Sequence, residues 1–153
     1  MCSSDLLISS LSREGIDLSM LGSVNEKTGT ALINVFDNSE NQIIYIPGAN
    51  KFTSHIQVTS ESLETAKIVV SQMEVNAEEV EQLFFNSRDK NCLNILNLAP
   101  FKKPSKKLVA HTDVLVFNEL EFSLFASLDT SSPVEVDILK EKLENQNLSN
   151  KLA

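Results

Sequence analysis

Three short runs of apolar and β-branched residues punctuate the chain: Lys67 to Ser71, Cys92 to Leu96 and Asp113 to Phe117. None holds a strict polar–apolar alternation, which suits strands buried on both faces. Helical spacing lies between and after them. Asn76, with Glu79 three residues later, predicts a capping-box start, and Val80, Leu83 and Phe84 line one face of the ensuing helix. Ser105 to Ala110 predicts a shorter helix. Glu119 to Leu128 predicts another, with Leu120, Leu124 and Phe125 on its apolar face. Strands alternating with helices imply βαβ crossovers and a parallel sheet, so the fold class is α/β.

The first third has a different rhythm. Leu6, Leu7 and Leu11 read as the last turns of a helix that Gly15 caps. Thr30 to Phe36 and Gln42 to Ile46 are two β-rich runs around the polar loop 37–41, the pattern of a β-hairpin, and Pro47-Gly48 ends the second run. At the other end, Ser132-Pro133 with Glu135 opens a helix striped by Ile138, Leu139 and Leu143, with no later strand to cross to. The organisation is thus a helix end over 1–14, a hairpin over 28–50, βα units over 51–128 and a terminal helix over 129–153.

Composition narrows the class. The 153 residues are 42% hydrophobic and 22% charged, enough apolar content for a packed core. The formal net charge of −8 argues against general nucleic-acid or anionic-membrane binding, which needs a basic face. Cys2 and Cys92 give neither a disulfide framework nor a zinc spacing, and Cys92 reads as a small core residue. Leu6-Leu7-Ile8 is too short for a leader peptide, and no run reaches membrane-span length, so the expected compartment is cytoplasmic. His55 and His111 have no triad or metal-spaced partners and read as structural or exposed. Lys102, Lys103, Lys106 and Lys107 read as a solvated loop and helix face, and Glu78, Glu79 and Glu81 as favouring a helix dipole. Phe84, Phe85, Phe122 and Phe125 read as helix faces against the sheet.

Ligands of open parallel sheets collect at the carboxyl ends of the strands. The first predicted strand runs out into Gln72-Met73-Glu74, the second into Asn97-Leu98-Ala99-Pro100 and the third into Asn118-Glu119-Leu120-Glu121. One rim would therefore carry Glu74, Asn97, Asn118 and Glu121, groups that hydrogen-bond hydroxyls and magnesium-bound water. Polar residues at strand ends also simply mark the chain reaching the surface, and spacing alone leaves both readings open.

Several segments, in order, resemble the ribokinase family of PfkB-type carbohydrate kinases. They are Gly15-Ile16-Asp17, Thr28-Gly29-Thr30-Ala31-Leu32-Ile33, Pro47-Gly48-Ala49-Asn50, Gln72-Met73-Glu74, Asn97-Leu98-Ala99-Pro100 and Asn118-Glu119-Leu120-Glu121. The resemblance spans roughly residues 6–128. It implies a partial Rossmann-like ribokinase fold with the hairpin in the lid region. It implies ATP-dependent phosphorylation of a sugar hydroxyl, D-ribose above other sugars or nucleosides, with ATP and Mg2+ as cofactors and dependence on a monovalent cation left open. Glu74 would bind sugar, Asn118 would help hold the nucleotide, and Glu121 would join the network of magnesium, water and phosphate. A homodimer through the hairpin would fit the same frame.

Two departures lie at the rim: Leu98 stands where the family has the first proline of Asn-Pro-Ala-Pro, and Phe117 where a proline precedes Asn118. A larger one concerns catalysis. The family's Gly-Ala-Gly-Asp segment stabilises phosphate charge and activates the sugar hydroxyl, and no glycine occurs after Gly48 here. The resemblance also leaves no counterpart for the initial strand and glycine-rich sugar loop. The expectation is an internal fragment, inactive alone, with no catalytic or metal-ligating residue of its own. The competing expectation is a non-catalytic binding or interaction module on the same frame.

Overall fold

The computed structural model describes residues 3–38 and 41–128. Helix α1 (Ser3–Arg13) is followed by strands β1 (Thr30–Val35) and β2 (Asn41–Ile46), and then by two 3-10 turns, Gly48–Phe52 and His55–Gln57. Helix α2 (Ser60–Thr65) precedes the alternating part: β3 (Ile68–Ser71), α3 (Ala77–Arg88), β4 (Leu93–Asn97), α4 (Lys106–His111), β5 (Val114–Val116) and α5 (Glu119–Ala126). The helix expected after residue 131 lies outside the described residues.

Helix α1 ends as its sequence predicts. Gly15 adopts φ +74°, the Gly15 N–H donates to Ser12 O at 3.1 Å, and the Ile16 N–H donates to Leu11 O at 3.2 Å. This pair of bonds is a Schellman closure, and it needs a residue tolerant of positive φ at position 15.

The hairpin is antiparallel, with Leu32 opposite Ile44 and Ile33 opposite Ile43. Of its strand residues, all but Tyr45 are exposed. Its stem closes where Thr28-Gly29 crosses Pro47-Gly48-Ala49-Asn50. The Ala49 N–H donates to Lys27 O at 2.8 Å. A Cβ on Gly48 would lie 2.3 Å from that same carbonyl, and one on Gly29 would lie 2.8 Å from Pro47 O. Two chains pass too closely here for any side chain, which is the physical content of both glycine motifs.

Strands β3, β4 and β5 form one parallel sheet in that order, with Val70 opposite Ile95 and Ile95 opposite Val114. Its covered face meets Val80 and Phe84 of α3, Leu108 of α4 and Phe122 of α5, around Met73, Leu96, Leu98 and Leu115. Burying each of the larger side chains contributes about 1.5–3 kcal/mol. The other face is apolar but open: Ile68 and Val70 are 54% and 67% exposed. Cys92 is buried, as expected.

Two patterns resolve differently from the sequence reading. In α5 the buried residues are Glu121, Phe122, Ser123 and Ala126, while Leu120 is 57% exposed and Leu124 is exposed too. Leu120, Phe122, Leu124 and Phe125 spread around this helix, so periodicity could not choose its inner face; Phe122 and Ala126 are the residues that enter the core. In α3, Asn76 caps by accepting from the Glu78 N–H, but Glu79 does not reach back to close a capping box. Its Oε2 instead accepts from Ser54 Oγ at 2.7 Å, the His55 N–H at 2.9 Å and His55 Nδ1 at 2.6 Å. Glu79 thereby ties the second 3-10 turn to α3, and His55 is a hydrogen-bond partner of Glu79 rather than a lone residue. The hydroxyl, the amide and the imidazole lower the Glu79 pKa to about 2.

Sequence reading also missed a buried polar knot. Asn94, in the middle of β4, is fully buried. Its Nδ2 donates to Phe84 O at 3.0 Å and His111 O at 2.9 Å, and its Oδ1 accepts from Ser87 Oγ at 2.7 Å. The Asn94 N–H donates to Asp113 Oδ2 at 2.8 Å. One amide thus joins α3, β4 and the end of α4, and every polar atom of its side chain is satisfied.

Candidate functional site: the carboxyl edge of the sheet

Because the three strands are parallel and adjacent, their carboxyl ends share one edge. Glu74 lies in the turn after β3, half-buried. Asn97 is the last residue of β4. Asn118 caps α5 just past β5. Strand β4 separates the outer two, so at the spacing of paired strands the β3 and β5 ends stand about 10 Å apart. That gap suits a ligand lying across the edge.

The turns holding these residues are cross-braced. The Glu74 N–H donates to Gln72 Oε1, and the Met73 N–H donates to Ala99 O at 3.1 Å. Asn97 Oδ1 accepts from the Ala99 N–H at 3.1 Å, and the Leu98 N–H donates to Val116 O at 2.9 Å. Leu98, at the position where a proline was expected, is fully buried and packs in the core. Phe117, the other departure, stacks beside Phe122 and Phe125. Both substitutions are absorbed by packing beneath the rim.

Asn118 and Glu121 form a reciprocal capping box. Asn118 Oδ1 accepts from the Glu121 N–H at 2.8 Å, and Glu121 Oε2 accepts from the Asn118 N–H at 2.8 Å. Glu121 is only 9% exposed, while Asn118 is exposed. The Asn-x-x-Glu spacing thus has a structural explanation, worth about 1 kcal/mol in helix stability. Asn118 Nδ2 and the second Glu121 oxygen lie outside the cap. Glu74 shares no hydrogen bond with either residue; the fold brings it to the same edge, not into contact.

The donor set suits hydroxyls and amides better than bare metal. Among the described residues no group of three His, Cys, Asp or Glu side chains is placed to hold an ion. A single carboxylate with one oxygen already in a cap fits a magnesium ion only through that ion's waters. The amino ends of α3 and α5 also open at this edge and favour anions, but their first turns already carry Glu78 and Glu79, and Glu119 and Glu121. Lys102 and Lys103 fall in the loop from the carboxyl end of β4 to α4, Lys106 and Lys107 open that helix, and His111 ends it. Among the described residues no helix is long and apolar enough to cross a membrane.

One contact at this edge was not read from the sequence. Tyr45, from the hairpin, donates its hydroxyl to Glu74 O at 2.9 Å and accepts from Asn50 Nδ2 at 3.2 Å. The signal available was a single aromatic residue among the three isoleucines of β2.

Comparison with known proteins agrees with the fold. The pfkB family carbohydrate kinase profile matches residues 3–150. A ribokinase of Haemophilus influenzae is 29% identical over 122 residues, covering 78% of this chain and 40% of its own length. A deoxyribokinase of Salmonella typhi is 29% identical over 126 residues, covering 80% of this chain and 41% of its own. The crystal structure of a ribokinase from Thermotoga maritima superposes with a TM-score of 0.78 at 25% identity, over 97% of this chain and 48% of that one. The chain therefore spans two-fifths to a half of the proteins it matches.

Proposed function

The chain belongs to the pfkB family of carbohydrate kinases, and from that premise we propose that its carboxyl edge is part of the sugar and nucleotide site of an ATP-dependent sugar kinase. The observation that carries this reading is the parallel order β3-β4-β5, which delivers Glu74, Asn97 and the Asn118–Glu121 pair to one edge. In this reading Glu74 accepts hydrogen bonds from sugar hydroxyls. Asn118 Nδ2 donates to the nucleotide, and Glu121 holds magnesium-bound water beside the phosphates. ATP supplies the phosphoryl group when bound. Glu74 fixes the sugar, and the buried cap keeps the Glu121 carboxylate oriented.

D-ribose is the favoured sugar. The deoxyribokinase relative keeps 2-deoxyribose as the second candidate. The isolated chain is inactive in this reading, because phosphoryl transfer rests on backbone donors and a base that no segment after Gly48 supplies in glycine-rich form. The hairpin face carrying Leu32, Ile44 and Ile46, turned away from Tyr45, is the proposed contact with a second copy. The cytoplasm is the proposed compartment.

Calorimetric titration with D-ribose, 2-deoxyribose and MgATP tests the reading, alongside an assay for sugar phosphate. Weak sugar binding that Glu74→Gln abolishes, with no turnover, is the expected result. Phosphorylation of ribose by this chain would refute the inactivity, and sugar binding indifferent to Glu74→Gln would refute the site.

A further inference from the structure

The hairpin needs something to hold it against the sheet. Its strand residues are exposed on both faces except Tyr45. Tyr45 is also the strand residue whose side chain bonds to the sheet side of the molecule, at Glu74 O. The turn that carries Glu74 is braced from within by Gln72 and from the neighbouring strand end by Ala99. Its brace from the hairpin is the Tyr45 hydroxyl, which Asn50 in turn orients from the stem.

We infer that Tyr45 is a positioning residue that couples the placement of the hairpin to the placement of Glu74. The inference rests on the reading of Glu74 as the sugar-binding carboxylate. The phenol is rigid and has few rotamers, so a bond at its tip fixes distance as well as direction. While the bond holds, the Gln72-Met73-Glu74 turn and the hairpin stem move as one unit. When it is lost, the turn keeps its two internal braces but no longer registers where the hairpin lies. A sugar hydroxyl bound by Glu74 would then meet a carboxylate whose position is less defined, and affinity falls without loss of any sugar contact.

The protein carries its own reporter, since Tyr45 is the only tyrosine and there is no tryptophan. Amide hydrogen exchange and tyrosine emission would be compared in the wild type and in Glu74→Gln, with exchange alone followed in Tyr45→Phe. Tyr45→Phe should speed exchange roughly fivefold at residues 72–75 and 43–46, since one hydrogen bond of about 1 kcal/mol is lost. The amides of β4 should be unchanged, which controls for folding. A titration with D-ribose followed by amide shifts should show affinity several-fold weaker in Tyr45→Phe. In the wild type ribose should alter the tyrosine emission, and Glu74→Gln should lose that response without altering the unliganded spectrum. Unchanged exchange at residues 72–75 in Tyr45→Phe overturns the coupling, and so does equal ribose affinity in wild type and Tyr45→Phe. Ribose that leaves the Glu74 amide unshifted in the wild type counts against the sugar reading instead, and the coupling is then decided by exchange alone.

Discussion

At the scale of single residues, two polar groups do more than their positions in the sequence suggest. Asn94 replaces water with three protein partners inside the core. Asn94→Leu would take the side-chain partner from His111 O and leave Ser87 Oγ only its bond to Phe84 O, so it should lower stability by about 1–3 kcal/mol in urea titration. Glu79 makes the chain acid-sensitive in a defined window. Its pKa is lowered from 4.5 to about 2, so the ionised group stabilises the fold fully above the ordinary value. That stability is lost as the pH falls toward about 2. Urea midpoints followed from about pH 5 downward should fall more steeply in the wild type than in Glu79→Gln. A common slope would mean that the three donors on Glu79 contribute nothing to stability. The Asn118–Glu121 pair separates cap from site. Asn118→Ser keeps an N-cap oxygen and should hold stability within about 0.5 kcal/mol, yet lose the amide proposed to meet the nucleotide, as unfolding and MgATP titrations would show.

At the scale of elements, strands β3 to β5 and helix α3 were legible because their signals were redundant: β-branched runs, a good N-cap, and apolar residues at helical spacing. The inner face of α5 was not legible. With Leu120, Phe122, Leu124 and Phe125 distributed around the helix, no stripe stands out, and it is Phe122 and Ala126 that pack into the core. The structure predicts the consequence: Leu120→Lys should change stability by no more than about 0.5 kcal/mol, whereas Phe122→Ala should cost about 3–5 kcal/mol. The reverse order in thermal or urea unfolding would restore the sequence-based face. Glu79 shows the same limit. Its spacing from Asn76 matched a capping box, but Ser54 and His55, more than twenty residues earlier, offered three donors against one. The candidate rim was legible as strand ends, and Asn118 and Glu121 by their Asn-x-x-Glu spacing; that the two form a cap is seen only in the structure. Tyr45 was hidden because a bond across 29 positions leaves no local pattern.

At the scale of the whole molecule, the uncovered sheet face and the exposed hairpin dominate behaviour in solution. A parallel sheet is ordinarily covered on both faces. Here Ile68 and Val70, with Leu6, Leu7 and Leu11 of α1, are exposed apolar surface. The chain alone should therefore associate as its concentration rises, and light scattering should show Val70→Lys reducing that association. The pfkB relationship accounts for the frame, and the parallel edge is what brings the proposed site residues together. The most direct test of the site is amide shift mapping of the labelled chain with D-ribose and, separately, MgATP. The account predicts ribose shifts centred on residues 72–74 and MgATP shifts centred on residues 118–121. Shifts confined to the opposite edge, around Ile68, Leu93 and Val114, or none at Glu74 under saturating ribose, would contradict it.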